Sequence, residues 1–508
     1  MDLGGDIPMP GPWAAQEVFG AVLPDDRFRS NLAQIAESLA SNGGSSYSVA
    51  CGHGGRQSAR RLFHNKATSA EGLLQGHVEQ TAARCVSQSG DHTGDRHRGN
   101  RGNLLLCIQD TTILDYTGHR SKTGLGPICT AYSSRGLLAH SVLAMSTSGL
   151  PLGLLHLELW AREVRAAVEQ PSREMRRKRD ISDKESAKWV KGLRAVEAAL
   201  PANQSVLLIQ DREADFYDLL VERRRSRTHL LIRAAHMNRC VYPDLEDPYL
   251  EGVANEGVAN EGVACRQTRR EAKLPPILSV LEQTPIAGKM VVQVGRKPSQ
   301  PAREAHLDLQ FCPVRVPPPR IPDTTLMRSR PAQSVTLIRA VEINAPEGVE
   351  PICWVLISTM PVTTVEEAQQ MVRYYALRWT IERLHFTLKS GCLNVERIQI
   401  EDGHALKNAL AIYFMVAWRI LYLTHLARTK PDAPAECVLQ PIEQQVLQAA
   451  AKRPVVTVSD ALREIARLAG YEYYAKAPPP GVKRVWQGLR ILETLTLGWE
   501  LAHKGIQM

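Results

Sequence analysis

Three acidic residues stand where a folded chain could put them to chemical use. Asp110 closes the apolar run Leu104-Leu-Leu-Cys-Ile-Gln, and Asp211 closes the run Val206-Leu-Leu-Ile-Gln. Both runs predict buried strands ending in the same tripeptide, Ile-Gln-Asp, and in open α/β sheets the carboxyl end of a strand is the edge where ligands bind. Taken singly, an aspartate after a strand is more often a turn or helix cap. Glu382 lies in Tyr375-Ala-Leu-Arg378-Trp-Thr-Ile-Glu382-Arg-Leu-His-Phe-Thr-Leu-Lys389, between two cations and a phenol. Three carboxylates carry enough negative charge to hold two magnesium ions, which take oxygen ligands and keep several waters. The chemistry this suggests is in-line displacement at a phosphodiester. One ion would activate water or a 3′-hydroxyl and the other would stabilise the leaving oxygen, with no covalent protein intermediate.

If 375–389 is a single helix at about 100° per residue, Tyr375, Arg378, Glu382 and Lys389 fall at roughly 0°, 300°, 340° and 320°. Leu377, Ile381, Leu384 and Leu388 gather near roughly 210°, so one stripe can enter a core while the other is presented. An amphipathic surface helix with solvated charges has the same pattern. The spacing Tyr-x2-Arg-x3-Glu-x6-Lys is expected by chance in about one chain in a few hundred. It resembles the signature of the insertion-sequence-four family of bacterial DDE transposases, the group that contains the cut-and-paste transposase of transposon Tn-five. Asp110-Thr-Thr resembles that family's first aspartate motif, Asp211-Arg-Glu-Ala-Asp215 its second, and Glu382 its third carboxylate.

The resemblance implies an α/β fold: an RNase H-like catalytic core interrupted by a β-rich insertion. A helical N-terminal DNA-binding domain and a helical C-terminal dimerisation region would flank it. The corresponding boundaries are 1–88, 100–235 and 351–428 for the two parts of the core, 236–350 for the insertion, and 429–508. It implies cut-and-paste transposition through a hairpin intermediate, with Asp110, Asp211 and Glu382 holding two Mg2+ ions and Mn2+ able to substitute. The partners would be double-stranded DNA, as inverted-repeat ends and as target, and a second copy of the chain. Arg378 and Lys389 would clamp phosphates, Arg as a fork and Lys as a point charge, while Tyr375 would hydrogen-bond a phosphate oxygen. Trp354 would help receive a flipped base, and Trp379 could stack similarly; a core tryptophan in an apolar strand is the rival reading of Trp354. Arg233 matches a basic position near the family's active site, where a structural salt bridge is equally open. Two other functions share these features: an end-binding protein that has lost catalysis, and an RNase H-like nuclease without strand joining.

The elements needed to position these residues are visible in the pattern of the chain. Residues 13 to 85 read as helical, with Leu32, Ile35 and Leu39 at helical spacing. Ser89 to Asn103 reads as a linker. Strands are expected at 104–108, 137–145, 151–159, 206–209 and 229–232, and helices at 187–200 and 214–223. From 236 to 350 short strands, prolines and turns take over, enclosing three copies, the last incomplete, of Glu251-Gly-Val-Ala-Asn, which read as a duplicated loop. Cys353–Ser358 returns to the core pattern. The helix that follows has a start signal in Thr364-Val-Glu-Glu367 and a stop at Gly391. The charged run Arg173–Lys188 reads as solvated, Asp115 as a turn residue, and Glu213 and Asp215 as favouring a helix N-terminus. From Ala405 onward the chain reads as helical, broken at Pro478-Pro-Pro-Gly481, with 489–501 a candidate dimer face.

Composition sets the outer limits. The chain has 508 residues, enough for two to four domains, and a net charge of +9 that favours a polyanionic partner. Its ten cysteines include no CxxC pair, which argues against a zinc ribbon. Cys107 and Cys353, in apolar runs, read as reduced core thiols. The start Met-Asp-Leu-Gly-Gly-Asp lacks the features of a secretion signal. The apolar stretch 409–427 carries Arg419 mid-way and reads as a buried core helix rather than a membrane span. A cytoplasmic protein with no membrane partner is expected.

Overall fold

The computed structural model describes residues 13–41, 50–90, 104–129, 134–163, 180–243, 274–295, 301–319, 331–474, 477 and 479–504. The repeat from Glu251 and the charged run 173–179 lie outside the described residues, as does most of the expected linker. In chain order the main elements are α1 (Trp13–Val18), α2 (Phe28–Ser41), α3 (Gly52–His64) and α4 (Ala70–Gly90), then β1 (Leu104–Asp115), β2 (Gly126–Pro127), β3 (Arg135–Met145) and β4 (Pro151–Trp160). There follow α5 (Ala187–Ala199), β5 (Ser205–Gln210), α6 (Tyr217–Val221), β6 (Thr228–Arg233), α7 (Ile277–Gln283), β7 (Gly288–Val294), β8 (Arg303–Val316), β9 (Gln333–Ile343) and β10 (Cys353–Ser358). The chain continues through α8 (Val365–Ala376), α9 (Trp379–Phe386), α10 (Gly403–Thr429), α11 (Pro441–Ala451), α12 (Val458–Leu468) and α13 (Val482–Lys504). The protein is mixed α/β.

The chain divides into two compact units. One gathers the described residues of Met1–Gln170, Gly192–Val206 and Trp379–Met508; the other those of Pro171–Lys191 and Leu207–Arg378. In the first unit β1, β3 and β4 pair antiparallel, β3 lying between the other two, and β2 adds to β3. β1 outruns its expected end. It continues as Thr111-Thr-Ile-Leu-Asp115, because these largely β-branched residues suit a pleated surface and β3 supplies partners as far as Gly136. Asp110 is therefore inside a strand, opposite Ser141, and not at a strand end.

α10 organises the rest of this unit. It packs against α2, α3, α4, β4, α12 and α13. It is the one described helix long and apolar enough to cross a membrane, and 89% of its most apolar window is buried. Polar anchors fix its register: Asn408 Nδ2 donates to the Phe63 and Thr68 carbonyls at 2.9 and 3.2 Å, and Trp418 Nε1 donates to the Pro151 carbonyl at 2.9 Å. α12 and α13 cross so closely that a methyl group on Gly488 would strike the Ile465 carbonyl. Gly488→Ala is therefore expected to lower stability by about 1–3 kcal/mol, because spreading the crossing outweighs the better helix propensity of alanine. A thermal melt checks this, and an unchanged midpoint would show that the crossing opens freely.

In the second unit β6, β10, β9, β8 and β7 form a continuous antiparallel run in that order. Of the insertion strands β9 pairs directly with β10, while β8 and β7 follow on beyond it, and α8 packs on β7 and β8. Thr364 caps α8 by accepting the Glu367 amide, as its sequence suggests. One expectation fails: Cys353 is exposed at the start of β10, whereas Cys107 is buried as expected. Asp215 lies two residues before α6, and its carboxylate accepts the Ala235 and His236 amides at 2.7 and 3.1 Å and pairs with Arg239.

Candidate active site

The helix expected from Val365 to Gly391 breaks twice. Leu377 ends α8, and the Arg378 amide reaches back only three residues, to the Tyr375 carbonyl at 3.0 Å. α9 resumes at Trp379. From Thr387 to Gly391 the winding loosens to a π turn, with the Cys392 amide donating to the Thr387 carbonyl at 3.2 Å. Single π turns inside helices are frequent at functional sites. Of the expected apolar stripe, Ile381, Leu384 and Leu388 are fully buried, while Leu377, at the break, is half-buried. The common face drawn through Tyr375, Arg378, Glu382 and Lys389 is not a face of one helix. Tyr375 is in the last turn of α8, Arg378 occupies the break, Glu382 is in the first turn of α9, and Lys389 is in the π turn.

In the first unit α9 packs against β1. His385, on α9, reaches both β3 and β1. Its Nε2 is 3.3 Å from Ser141 Oγ, and its Nδ1 is 4.0 Å from Asp110 Oδ2. Asp110 Oδ1 accepts the Thr111 amide at 2.8 Å, which turns the carboxylate at its own backbone. Thr111 Oγ1 lies 2.9 Å from His140 Nδ1, and His140 Nε2 lies 3.2 Å from Gln109 Oε1. The Asp110 neighbourhood is thus a hydrogen-bonded layer in a largely buried setting. Glu382 precedes His385 by three residues, one helical turn, so the turn that meets Asp110 also carries the third acid. Lys389 is engaged elsewhere: its Nζ donates to the Ile113 carbonyl at 2.8 Å and lies 3.2 Å from Glu396. Glu396 in turn accepts the Asp115 amide at 2.9 Å. Trp379 is 53% exposed.

In the second unit Asp211 follows β5 directly and caps a single 3-10 turn, its Oδ1 accepting the Glu213 amide at 2.9 Å. Burial pushes its carboxyl above the ordinary range, against the opposing pull of that amide and of the Arg378 and Lys188 cations. A carboxylate disfavoured in this way gains from an added cation. Glu213 pairs with Lys188 at 2.9 Å. Tyr375 is buried, with the half-buried Trp354 edge-on at 5.4 Å between ring centroids and Arg378 6.0 Å from its ring. Burial also raises the Tyr375 phenol, with Arg378 and Arg233 pulling the other way. Arg233 Nη2 donates to the Cys353 carbonyl at 3.4 Å. Asp211, Arg233, Trp354, Tyr375 and Arg378 thus all belong to this unit, and Asp110, Glu382 and Lys389 to the other.

Residues 185–419 match the family described as the transposase DDE domain. Just under half of the chain is thus similar to a transposase DDE domain. The match takes in Asp211, Arg233, Trp354, Tyr375, Arg378, Glu382 and Lys389, while Asp110 lies upstream of it. Among solved structures, a cryo-EM structure of the piggyBac transposase synaptic complex with hairpin DNA is similar at 12% identity over 83% of this chain. The similarity spans 65% of that chain with a TM-score of 0.30, too low to equate the two topologies. The carboxylates within the matched segment are hard oxygen donors of the kind divalent cations prefer. Among the described residues, no three His, Cys, Asp or Glu side chains form a group with metal-holding geometry. The sequence reading missed His385 and Ser141. The signal available for His385 was its place one turn after Glu382; nothing marks Ser141 before its pairing with Asp110 is known.

Proposed function

We propose that the protein is a cut-and-paste DNA transposase of the insertion-sequence-four type, similar to that of transposon Tn-five, built on an RNase H-like core. The observation that carries this is the transposase DDE domain match, which contains Asp211 directly after a buried strand and Glu382 in the first turn of α9. Asp110, Asp211 and Glu382 would hold divalent cations, two Mg2+ or in their place Mn2+, whose role when bound is to supply the positive charge that phosphodiester displacement needs. The protein's own groups do the rest. His385 orients Asp110, and Arg378 offers a cationic fork to a phosphate with Tyr375 beside it. Trp354 and Trp379 are the aromatic surfaces available to an extruded base of a hairpin end, and Arg233 adds positive charge beside Tyr375. Lys389 reaches a phosphate only by exchanging Glu396 for it.

The remaining regions take the parts their composition suits. The helices within 1–88 bind transposon ends: α3 exposes Arg56, Arg60 and Arg61. The helices within 429–508 join two copies, a reading supported by the exposed Leu495, Leu497 and Leu501 on α13. The segment 236–350 is the insertion between the two parts of the core, 100–235 and 351–428. The test is an incubation of the protein with the inverted-repeat DNA flanking its coding region, Mg2+ and a supercoiled target. Excised ends joined to the target are expected. Cleavage without joined product would leave a nuclease, and binding without cleavage an end-binding protein.

A further inference from the structure

A second cationic site lies within the helical C-terminal part of the first unit. A cavity of about 340 Å³ opens between the end of α10, α12 and the segment leading into α13. Its polar lining includes Arg428, Ser459, Arg463 and Tyr473, and Pro479 and Pro480 form an apolar wall. That volume is at the lower end of small-ligand pockets.

The electrostatics are one-sided. Arg428 keeps solvent-exposed surface, yet partial desolvation of its guanidinium and then the neighbouring Arg383 press it below its ordinary range. His425, one turn earlier on α10, is driven down to about 4, first by burial and then by Arg428 and Arg383. Arg463 has only a loose pairing with Asp460, at 3.9 Å, and that carboxylate already accepts from Thr457 in the α12 capping box. The Arg463 guanidinium lies 4.2 Å from the centroid of the Tyr473 ring. Tyr473 is nevertheless 55% exposed, so ring surface remains open to a ligand.

We propose that this cavity binds a nucleotide, with Arg428 taking the phosphate and the open side of Tyr473 stacking on the base. The two guanidiniums supply charge-assisted donors suited to phosphate oxygens, and an arginine-backed aromatic ring is a stacking platform that any base can use. The Ser459 hydroxyl adds a neutral polar group on the same wall. A proline-binding groove would use the aromatic and proline surfaces but leave the two arginines on the same lining unexplained. The site involves neither the three acids nor Arg378, so it does not depend on the proposed transposition chemistry.

The same ligand chemistry comes from a DNA strand or from a free mononucleotide, and the test separates them. Fluorescence anisotropy would follow a labelled single-stranded tetranucleotide on the full chain, with dAMP, inorganic phosphate and a proline-rich peptide as competitors. Photocrosslinking with a 5-iododeoxyuridine tetranucleotide, mapped by mass spectrometry, would locate the contact. Expected results are crosslinks within 471–474 and roughly tenfold weaker binding in Tyr473→Ala and in Arg428→Gln, with Tyr473→Phe retaining affinity. Both side chains are exposed, and circular dichroism would confirm that the variants are folded. Competition by dAMP identifies a mononucleotide site; resistance to dAMP with the same variant losses identifies a strand-binding one. Affinity unchanged in both variants, crosslinks only elsewhere, or displacement by the proline-rich peptide alone would overturn the proposal.

Discussion

Asp211→Asn is expected to reduce metal-dependent cleavage of end-bearing DNA by on the order of 10³-fold, the scale seen when a group stabilising developing charge is removed. The substitution is chosen because asparagine keeps an Oδ1 that can accept the Glu213 amide, so the 3-10 turn after β5 survives. What is lost is one negative charge in a partly buried setting where Arg378 and Lys188 already supply positive charge. End binding, measured by gel shift without metal, should hold or rise slightly, because DNA is repelled by carboxylates. Asp110→Asn and Glu382→Gln should give the same pairing of lost cleavage with retained binding. A variant that still cuts at the parental rate would remove that residue from the proposed trio.

The second large effect concerns stability. Glu17, on α1, is buried and held from both sides: Arg84 Nη1 donates to Oε1 at 2.6 Å and His77 Nδ1 to Oε2 at 2.6 Å. His77 Nε2 accepts the Leu154 amide at 3.0 Å, so the proton of the neutral ring sits on Nδ1. Arg84 also donates from Nε to the Leu152 carbonyl at 2.6 Å and stacks on Trp418 at 4.5 Å. Arg84→Met keeps much of the side chain's bulk and removes the charge, leaving a buried carboxylate with one partner. A loss of about 3–5 kcal/mol is expected in denaturant unfolding at neutral pH. Burial alone would raise the Glu17 carboxyl, but Arg84 and His77 outweigh it and bring it from 4.5 to about 2. The stabilisation from this depressed carboxyl is therefore complete above pH 4.5 and disappears as pH falls through about 2. The gap between parent and variant should narrow across that window. A gap that stays constant would show that Arg84 acts through packing on Trp418 instead.

How far the sequence discloses this molecule depends on how local each cause is. β5, β6, β10 and the capped start of α8 follow from apolar runs and a Thr-x-x-Glu box, which act within a few residues. The burial of α10 follows from its composition. Asp211 after β5 is legible for the same reason. The extension of β1 past Asp110 is not, because β3, some thirty residues on, provides the ladder that keeps Thr111 to Asp115 extended. The break at Leu377 and Arg378 contains no glycine or proline to announce it, and the chain passes there from one compact unit to the other. The engagement of Lys389 with Glu396 and Ile113 is a tertiary outcome that periodicity cannot contain. The same holds for the exposure of Cys353: an apolar neighbourhood in the chain says little about the first residue of a strand.

The first unit draws its core from both sides of a long intervening stretch, since Asn408 grips Phe63 and Thr68, and Trp418 grips Pro151. On a ribosome making about 5–20 residues per second, the N-terminal helices and first strands emerge tens of seconds before α10 can reach them. During that interval their apolar faces lack the helix that later covers them. Nascent chains should therefore depend on chaperones until α10 has emerged, and truncation before α10 should yield aggregates rather than a smaller folded protein.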